Sequence, residues 1–267
     1  MAKFQCNGEQ SVYFEHHRGA GIPVVLIHGW AMSSRIWAGT VEALKAKGHA
    51  VITVDLRGCG QSDRDFATMS IADLAADVAG IVRQTASSPV VLNGWSLGGA
   101  VATQAAALLG KDAAGLILTC GASPRFTKTD DFPYGGDPGA LAGSVAALAA
   151  DRAGFFRSLA EGVCSLPVSA ATIDWMWSAF VDSGPDVINQ LVDLGNIDQQ
   201  ETLANLAIPV LSLVGSADAI LDPQVGIAAA KIAKNGQSVV FDKCGHAPFV
   251  ECPADYYEAL HKFLAAL

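Results

Sequence analysis

Three short stretches of this 267-residue chain carry side chains able to break an acyl bond. The first is Gly94-Trp95-Ser96-Leu97-Gly98-Gly99, which follows the apolar run Val90-Val91-Leu92 and leads into an alanine-rich segment. A strand entering a helix through so tight a turn holds the serine in a strained backbone conformation, with its hydroxyl projecting above the sheet. Small neighbours are then needed to avoid collisions. The plainer alternative is a glycine-rich helix start that only packs closely. A serine hydroxyl is a weak nucleophile at neutral pH, so it needs a base within hydrogen-bond reach and a third group to orient that base. Gly215-Ser216-Ala217-Asp218 and Gly245-His246 offer that acid and that base. The alternatives are a turn or cap residue for Asp218, with Asp222 the nearest competing acid, and a satisfied turn histidine for His246. His16, His17, His49 and His261 stand in turn or surface-helix contexts without matching acids and are read as structural.

Acyl transfer also requires donors for the negative charge that develops on the carbonyl oxygen. A helix starting after Ser96 leaves the N–H of Leu97 unpaired and aims partial positive charge at the serine. The loop after residues 23–27, beginning His28-Gly29-Trp30, supplies a second N–H from Trp30. His28 is assigned to ordering that loop rather than to proton transfer.

The elements that must position these groups alternate. Buried apolar runs at 23–27 and 50–54, the apolar strand from Val90 into Gly94, and strand character at 115–119, 208–214 and 238–241 read as a mostly parallel sheet, with an earlier antiparallel strand at 11–15. Helical patterns fill the gaps at 36–47, from a capping box at Ser70-Ile71-Ala72-Asp73 to about 84, after Ser96, at 223–234 and at 254–266. This is an α/β fold, with Ser96, Asp218 and His246 each just past the carboxyl end of a strand, the edge where such sheets build their sites. Between 122 and 205 only helical patterns occur, around 139–150, 151–164, 168–182 and 185–195. That segment is assigned as a helical cap inserted into a core made of 1–121 and 206–267. Candidates to line a substrate pocket are Trp30, Trp95, Phe132, Phe155, Phe156 and Leu159, although most cap aromatics are expected to be ordinary packing. The cap's basic residues, Arg125, Lys128, Arg152 and Arg157, all fall in its first half; no Lys or Arg follows before Lys231. A chance distribution of solvated charges explains that pattern as readily as a positive patch does.

A hydrophobic content of 51% with 16% charged residues describes a globular chain, and a net charge of −9 argues against a nucleic-acid partner. The N-terminal stretch lacks a signal-peptide apolar core, and no run reaches membrane-spanning length, so a cytoplasmic protein with no membrane partner is expected. Six scattered cysteines show neither metal-ligand spacing nor a disulfide framework. The chemistry above needs no metal or cofactor, and a monomer is expected.

His28-Gly29, Asp55-x-Arg57-Gly58-x-Gly60-x-Ser62, Gly94-x-Ser96-x-Gly98-Gly99, Asp218 and His246 together resemble the α/β-hydrolase superfamily, whose triad runs in the same chain order. Within it, His28-Gly29-Trp30, Gly94 to Gly99, Ser123-Pro124-Arg125-Phe126 with Asp131-Phe132-Pro133, and Gly245-His246-Ala247-Pro248-Phe249 are similar to the pimeloyl-ACP methyl ester esterases of biotin synthesis. That resemblance implies hydrolysis of a methyl ester on a pimeloyl chain tethered to acyl carrier protein, docked through a basic cap surface. Arg125, Lys128, Arg152 and Arg157 are the docking candidates, while the later cap departs from the family in being acidic. The same triad also serves short-chain carboxylesterases, lactonases and carbon–carbon hydrolases that use no carrier. A non-catalytic ligand-binding protein on the hydrolase fold is the alternative of another class.

Overall fold

The computed structural model describes residues 2–6 and 9–267; Met1, Asn7 and Gly8 of the N-terminal stretch lie outside the described residues. Eight strands form one sheet: β1 (Ala2–Gln5), β2 (Ser11–His17), β3 (Gly21–Ile27), β4 (His49–Val54), β5 (Val90–Trp95), β6 (Ala113–Thr119), β7 (Val210–Gly215) and β8 (Gly236–Phe241). Their spatial order is β1-β2-β4-β3-β5-β6-β7-β8. Only the β1–β2 and β2–β4 pairs are antiparallel. From β4 to β8 every pairing is parallel, and the central strands are buried on both faces, which is why they read as unbroken apolar runs.

The core helices are α1 (Ala38–Ala46), α2 (Ile71–Thr85) and α3 (Leu97–Leu109); a 3₁₀ turn at Ser34–Trp37 occupies the start of the helix expected from residue 36. Ser70 and Asp73 close the capping box of α2 in both directions, each side chain accepting from the other's backbone N–H. Five helices lie between β6 and β7: α4 (Pro138–Ala150), α5 (Arg152–Gly162), α6 (Ala170–Asp182), α7 (Ile188–Asn196) and α8 (Gln200–Asn205). The first four fall on the four helical patterns of the cap, and α8 is an addition. After β7 come α9 (Pro223–Ile232), the short α10 (Pro248–Glu251) and α11 (Pro253–Leu264). Among the described residues no helix is long and apolar enough to cross a membrane.

Because the strands run parallel, the carboxyl ends of β3, β5, β6, β7 and β8 share one edge. Ile27 is level with Gly94, Trp95 with Thr119, and Gly215 with Phe241. Beside that edge, the Asp55-to-Ser62 motif is a structural knot. Asp55 accepts the N–H groups of Ser34 and Gln61, and a Cβ at Gly60, whose φ is +52°, would collide with its carboxylate. Arg57 makes a bidentate pair with Asp77, at 2.6 and 2.9 Å, with both side chains only 6% exposed. Removing one member of a buried pair strands the other charge, so Asp77→Ala should lower unfolding free energy by about 3 kcal/mol. Urea unfolding checks this, and an unchanged midpoint would contradict it.

Candidate active site

Ser96 sits between β5 and α3 at φ 55° and ψ −124°, a left-handed conformation that a side chain rarely adopts. The surroundings explain how it is held. A Cβ on Gly94 would run into the carbonyl of Gly98, one on Gly98 into that of Ile27, and one on Gly99 into Gly121. The serine N–H donates to the Thr119 carbonyl at 3.1 Å, and its own carbonyl accepts from Gly99 and Ala122, both at 2.8 Å.

Asp218 lies three residues past β7 and His246 five past β8. Oδ2 of Asp218 is 2.7 Å from His246 Nδ1, with the two side chains 2% and 3% exposed. Oδ1 accepts from the N–H groups of Ile220 and Leu221 at 2.8 and 3.0 Å. Burial opposes ionisation of Asp218, but His246 and these two N–H groups outweigh it and hold the carboxyl below its ordinary range. An ionised Asp218 requires the proton on Nδ1, which leaves a lone pair on Nε2. Among the described residues no hydrogen-bond partner reaches that buried Nε2. The competing acid, Asp222, is the N-cap of α9 and accepts from Gln224. His17 does have an acid, Glu15 at 3.2 Å, but this is a local pair along β2.

Leu97 is the first residue of α3, so its N–H has no acceptor within the helix. The Gly29 carbonyl is bound to His28 Nδ1 at 2.7 Å, while His28 Nε2 accepts from Leu56 at 3.0 Å. Burial drives the His28 pKa down, and the two bonds describe a neutral imidazole that orders the loop. Fixing that carbonyl also fixes the trans peptide it belongs to, whose opposite edge is the Trp30 N–H. Gly29 is itself pressed against the elbow: a Cβ there would lie 3.1 Å from Ser96 Cβ.

Ser96 and His246 open onto one cavity of about 60 Å³. Its core side is made by Gly29, Trp30 and Trp95, with Ile220 from the acid's loop. The cap side is apolar: Phe126, Leu159, Val163, Phe180, Leu191 and Leu194. Of the six expected lining residues, the structure brings Trp30, Trp95 and Leu159 to it. Phe155 and Phe156 pack instead against the Trp30 ring, and Phe132 against Tyr134. The cap-side residues missed from sequence are apolar positions whose helical period marks them as buried, and nothing in that period separates a wall from packing. A larger groove of about 580 Å³, between α6 and the Asp55 loop, contains none of the three candidate catalytic residues.

Each tryptophan beside the site also makes a lock. Trp95 Nε1 donates to the His246 carbonyl and Trp30 Nε1 to the Val187 carbonyl in the cap, both at 2.7 Å. Cys120 lies behind the acid, its Sγ within 4.8 Å of the Asp218 and His246 donor atoms. Burial and then the Asp218 charge push its thiol well above the ordinary range, whereas a metal would require the thiolate. The four basic cap residues do not form an open patch. Arg125 pairs with Asp198 at 2.7 Å, Lys128 with Asp137 at 3.1 Å, and Arg157 with Glu161 and Asp174 at 2.8 and 2.5 Å. Arg152 lies over the Phe156 ring and donates to Ser183 and Gly184.

Residues 22–253 match the family described as the alpha/beta hydrolase fold. The chain belongs to that family. A pimeloyl-[acyl-carrier protein] methyl ester esterase of Stenotrophomonas maltophilia (strain K279a) is 32% identical over 254 residues, 93% of this chain and 95% of that one. The AB hydrolase superfamily protein YisY of Bacillus subtilis (strain 168) is 29% identical over 245 residues, 91% of each chain. Among solved structures, an esterase from Exiguobacterium antarcticum superposes with a TM-score of 0.94 at 23% identity, covering 98% of both chains. This hydrolase is a carboxylic ester hydrolase by class.

The depressed Asp218 carboxyl has a consequence for stability. It contributes stability that is present above the ordinary carboxylate pKa and is lost as pH falls through its lowered folded value. Asp218→Asn should therefore flatten the acid limb of a plot of Tm against pH. It should also cut turnover by on the order of 10⁴, because an amide facing Nδ1 favours the wrong tautomer. An acid limb as steep as wild type would rule out the linkage.

Proposed function

We propose that this hydrolase is a serine carboxylesterase for small esters that place an apolar group in the cavity beside Ser96. One observation carries the reading: His246 Nε2, buried and without a hydrogen-bond partner, shares that cavity with Ser96 while Nδ1 is bound to Asp218. A binding protein has no need of an aligned base with an open lone pair.

Ser96 Oγ attacks the ester carbonyl as His246 Nε2 takes its proton, and Asp218 stabilises the imidazolium. The N–H groups of Leu97 and Trp30 receive the oxyanion of the tetrahedral intermediate. Collapse expels the alcohol, protonated by His246, and leaves an acyl group on Ser96. Water then attacks that acyl group, its proton passing to the same nitrogen. A second tetrahedral intermediate releases the acid and returns the proton to Ser96. Oγ is not hydrogen-bonded to Nε2, and such contacts commonly tighten only when substrate is bound.

A second reading, a methyl ester carried on acyl carrier protein, is favoured by the near-full-length similarity to proteins with that name. The cap surface gives it little support, since three of the four docking candidates are paired with acids of this chain and Arg152 is turned inward. The deciding experiment compares kcat/KM for methyl pimeloyl-carrier with that for free dimethyl pimelate. Comparable rates on both are expected. A strong carrier preference that weakens with added salt would replace the first reading with the second. Ser96→Ala should abolish turnover with folding intact, and a variant at wild-type rate would move the nucleophile elsewhere.

A further inference from the structure

The loop that bears His246 is gathered around one carboxylate. Glu251, the last residue of α10, turns back so that Oε2 accepts from the N–H groups of Gly245 at 2.8 Å, Ser165 at 2.7 Å and Leu166 at 2.9 Å. Its Oε1 accepts from Ala247 at 3.1 Å. The residues immediately before and after His246 therefore share an anion with two consecutive residues of the cap, just beyond the end of α5 at Gly162. His246 adds a direct link, its own N–H donating to the Val163 carbonyl at 2.8 Å. The two segments touch at backbone distance: a Cβ on Gly245 would lie 2.6 Å from Ser165 N and 2.8 Å from Val163 O.

We propose that Glu251 is a positioning residue that fixes the backbone of His246 and fastens it to the cap segment 163–166. The proposal rests on the serine-esterase reading above. Asp218 holds the imidazole at Nδ1, and Trp95 holds the His246 carbonyl. Neither reaches upstream of the histidine. Glu251 spans the turn: it accepts the Ala247 N–H, in the peptide directly after His246, and the Gly245 N–H, one peptide upstream of the Gly245–His246 link that Val163 holds, and the run of these peptides sets where Nε2 points. Val163 lines the cavity, so the same carboxylate ties a wall of the acyl site to the base. A shift of that wall is then a shift of the base. Charge-assisted acceptance of four N–H groups suits this role, because a single anion satisfies donors that the two loops would otherwise turn toward each other.

Glu251→Gln keeps the shape but replaces one acceptor oxygen with an NH₂, so that either Ala247 or the trio Gly245, Ser165 and Leu166 loses its acceptor. Three measurements test the assignment: kcat per active site, with sites counted by a phosphonate that titrates Ser96; KM; and amide exchange at Gly245, Ala247, Ser165 and Leu166. The expected result is a folded variant with KM nearly unchanged, kcat per titrated site lower by about 10–10²-fold, and faster exchange at the four amides together. Glu251→Asp, which keeps the charge but shortens the reach, should recover part of kcat. Wild-type kcat per site in Glu251→Gln would overturn the assignment. So would a loss confined to the number of titratable sites, which marks a merely structural residue. Were wild-type enzyme itself inactive on esters, the esterase reading would fail, whereas unchanged exchange at the four amides would sink the clamp on its own.

Discussion

A serine backbone at φ 55° costs on the order of 1–3 kcal/mol and persists only where the surrounding structure over-determines it. Here that surrounding structure is the close approach of three neighbouring strand ends. Gly98 meets the end of β3, Gly94 meets the first turn of α3, and Gly99 meets Gly121 just after β6. Only the order β3-β5-β6 brings those ends together around one residue. The central sheet order and the strained serine are thus one constraint, and the glycines are where it is met. The same proximity starts α3 directly after Ser96 and presses Gly29 against the serine's Cβ.

The base has to be placed against that fixed point from the far side of the sheet, across β6 and β7. Its contacts divide the task. A buried indole N–H needs an acceptor, and Trp95 finds it on the His246 carbonyl, so the residue before the candidate nucleophile is bound to the candidate base. Trp30 satisfies the same need at Val187 and ties the loop from His28 to Trp30 to the cap. Asp218 contributes charge and tautomer, and Glu251 brings in the cap's return segment. Each contact crosses between parts of the chain that are distant in sequence, so the geometry depends on the completed fold and on no single loop.

The legible features were those set by local rules. Strand cores buried on both faces give continuous apolar runs, Ser70 and Asp73 give a capping box, and the elbow needs glycines at fixed offsets from Ser96. Strand β1 escaped notice because it is a short, mostly exposed edge with Lys3 and Gln5, lacking either an apolar run or clean alternation. Helices α8 and α10 have six and four residues, too few for a helical period to register. The cavity wall was only partly legible for a different reason. Phe156 and Phe180 are both buried aromatics on cap helices and stack on each other, yet only Phe180 reaches the cavity. That difference arises from how the helices cross. Nothing local singles out Glu251, since its partners at 165 and 166 are about 85 residues away.

The cap's charges show the same dependence on assembly. In sequence, basic residues in the first half of the cap and acids in the second suggest two separated regions of opposite sign. Folding sets helices from the two halves side by side: Arg157 of α5 reaches Asp174 of α6, and Arg125 reaches Asp198 beyond α7. A sequence dipole becomes a set of local pairs. Exposed pairs of this kind are worth little individually, so an acidic partner could displace one at small cost. What the pairing removes is the long-range field. At a distance of a Debye length, about 10 Å at moderate salt, paired charges largely cancel, and the chain's net −9 is what an approaching anion meets. Recognition of an acidic partner would then have to come from short-range contacts made after encounter. An uncharged ester meets no such barrier, and the apolar cavity beside Ser96 suits it.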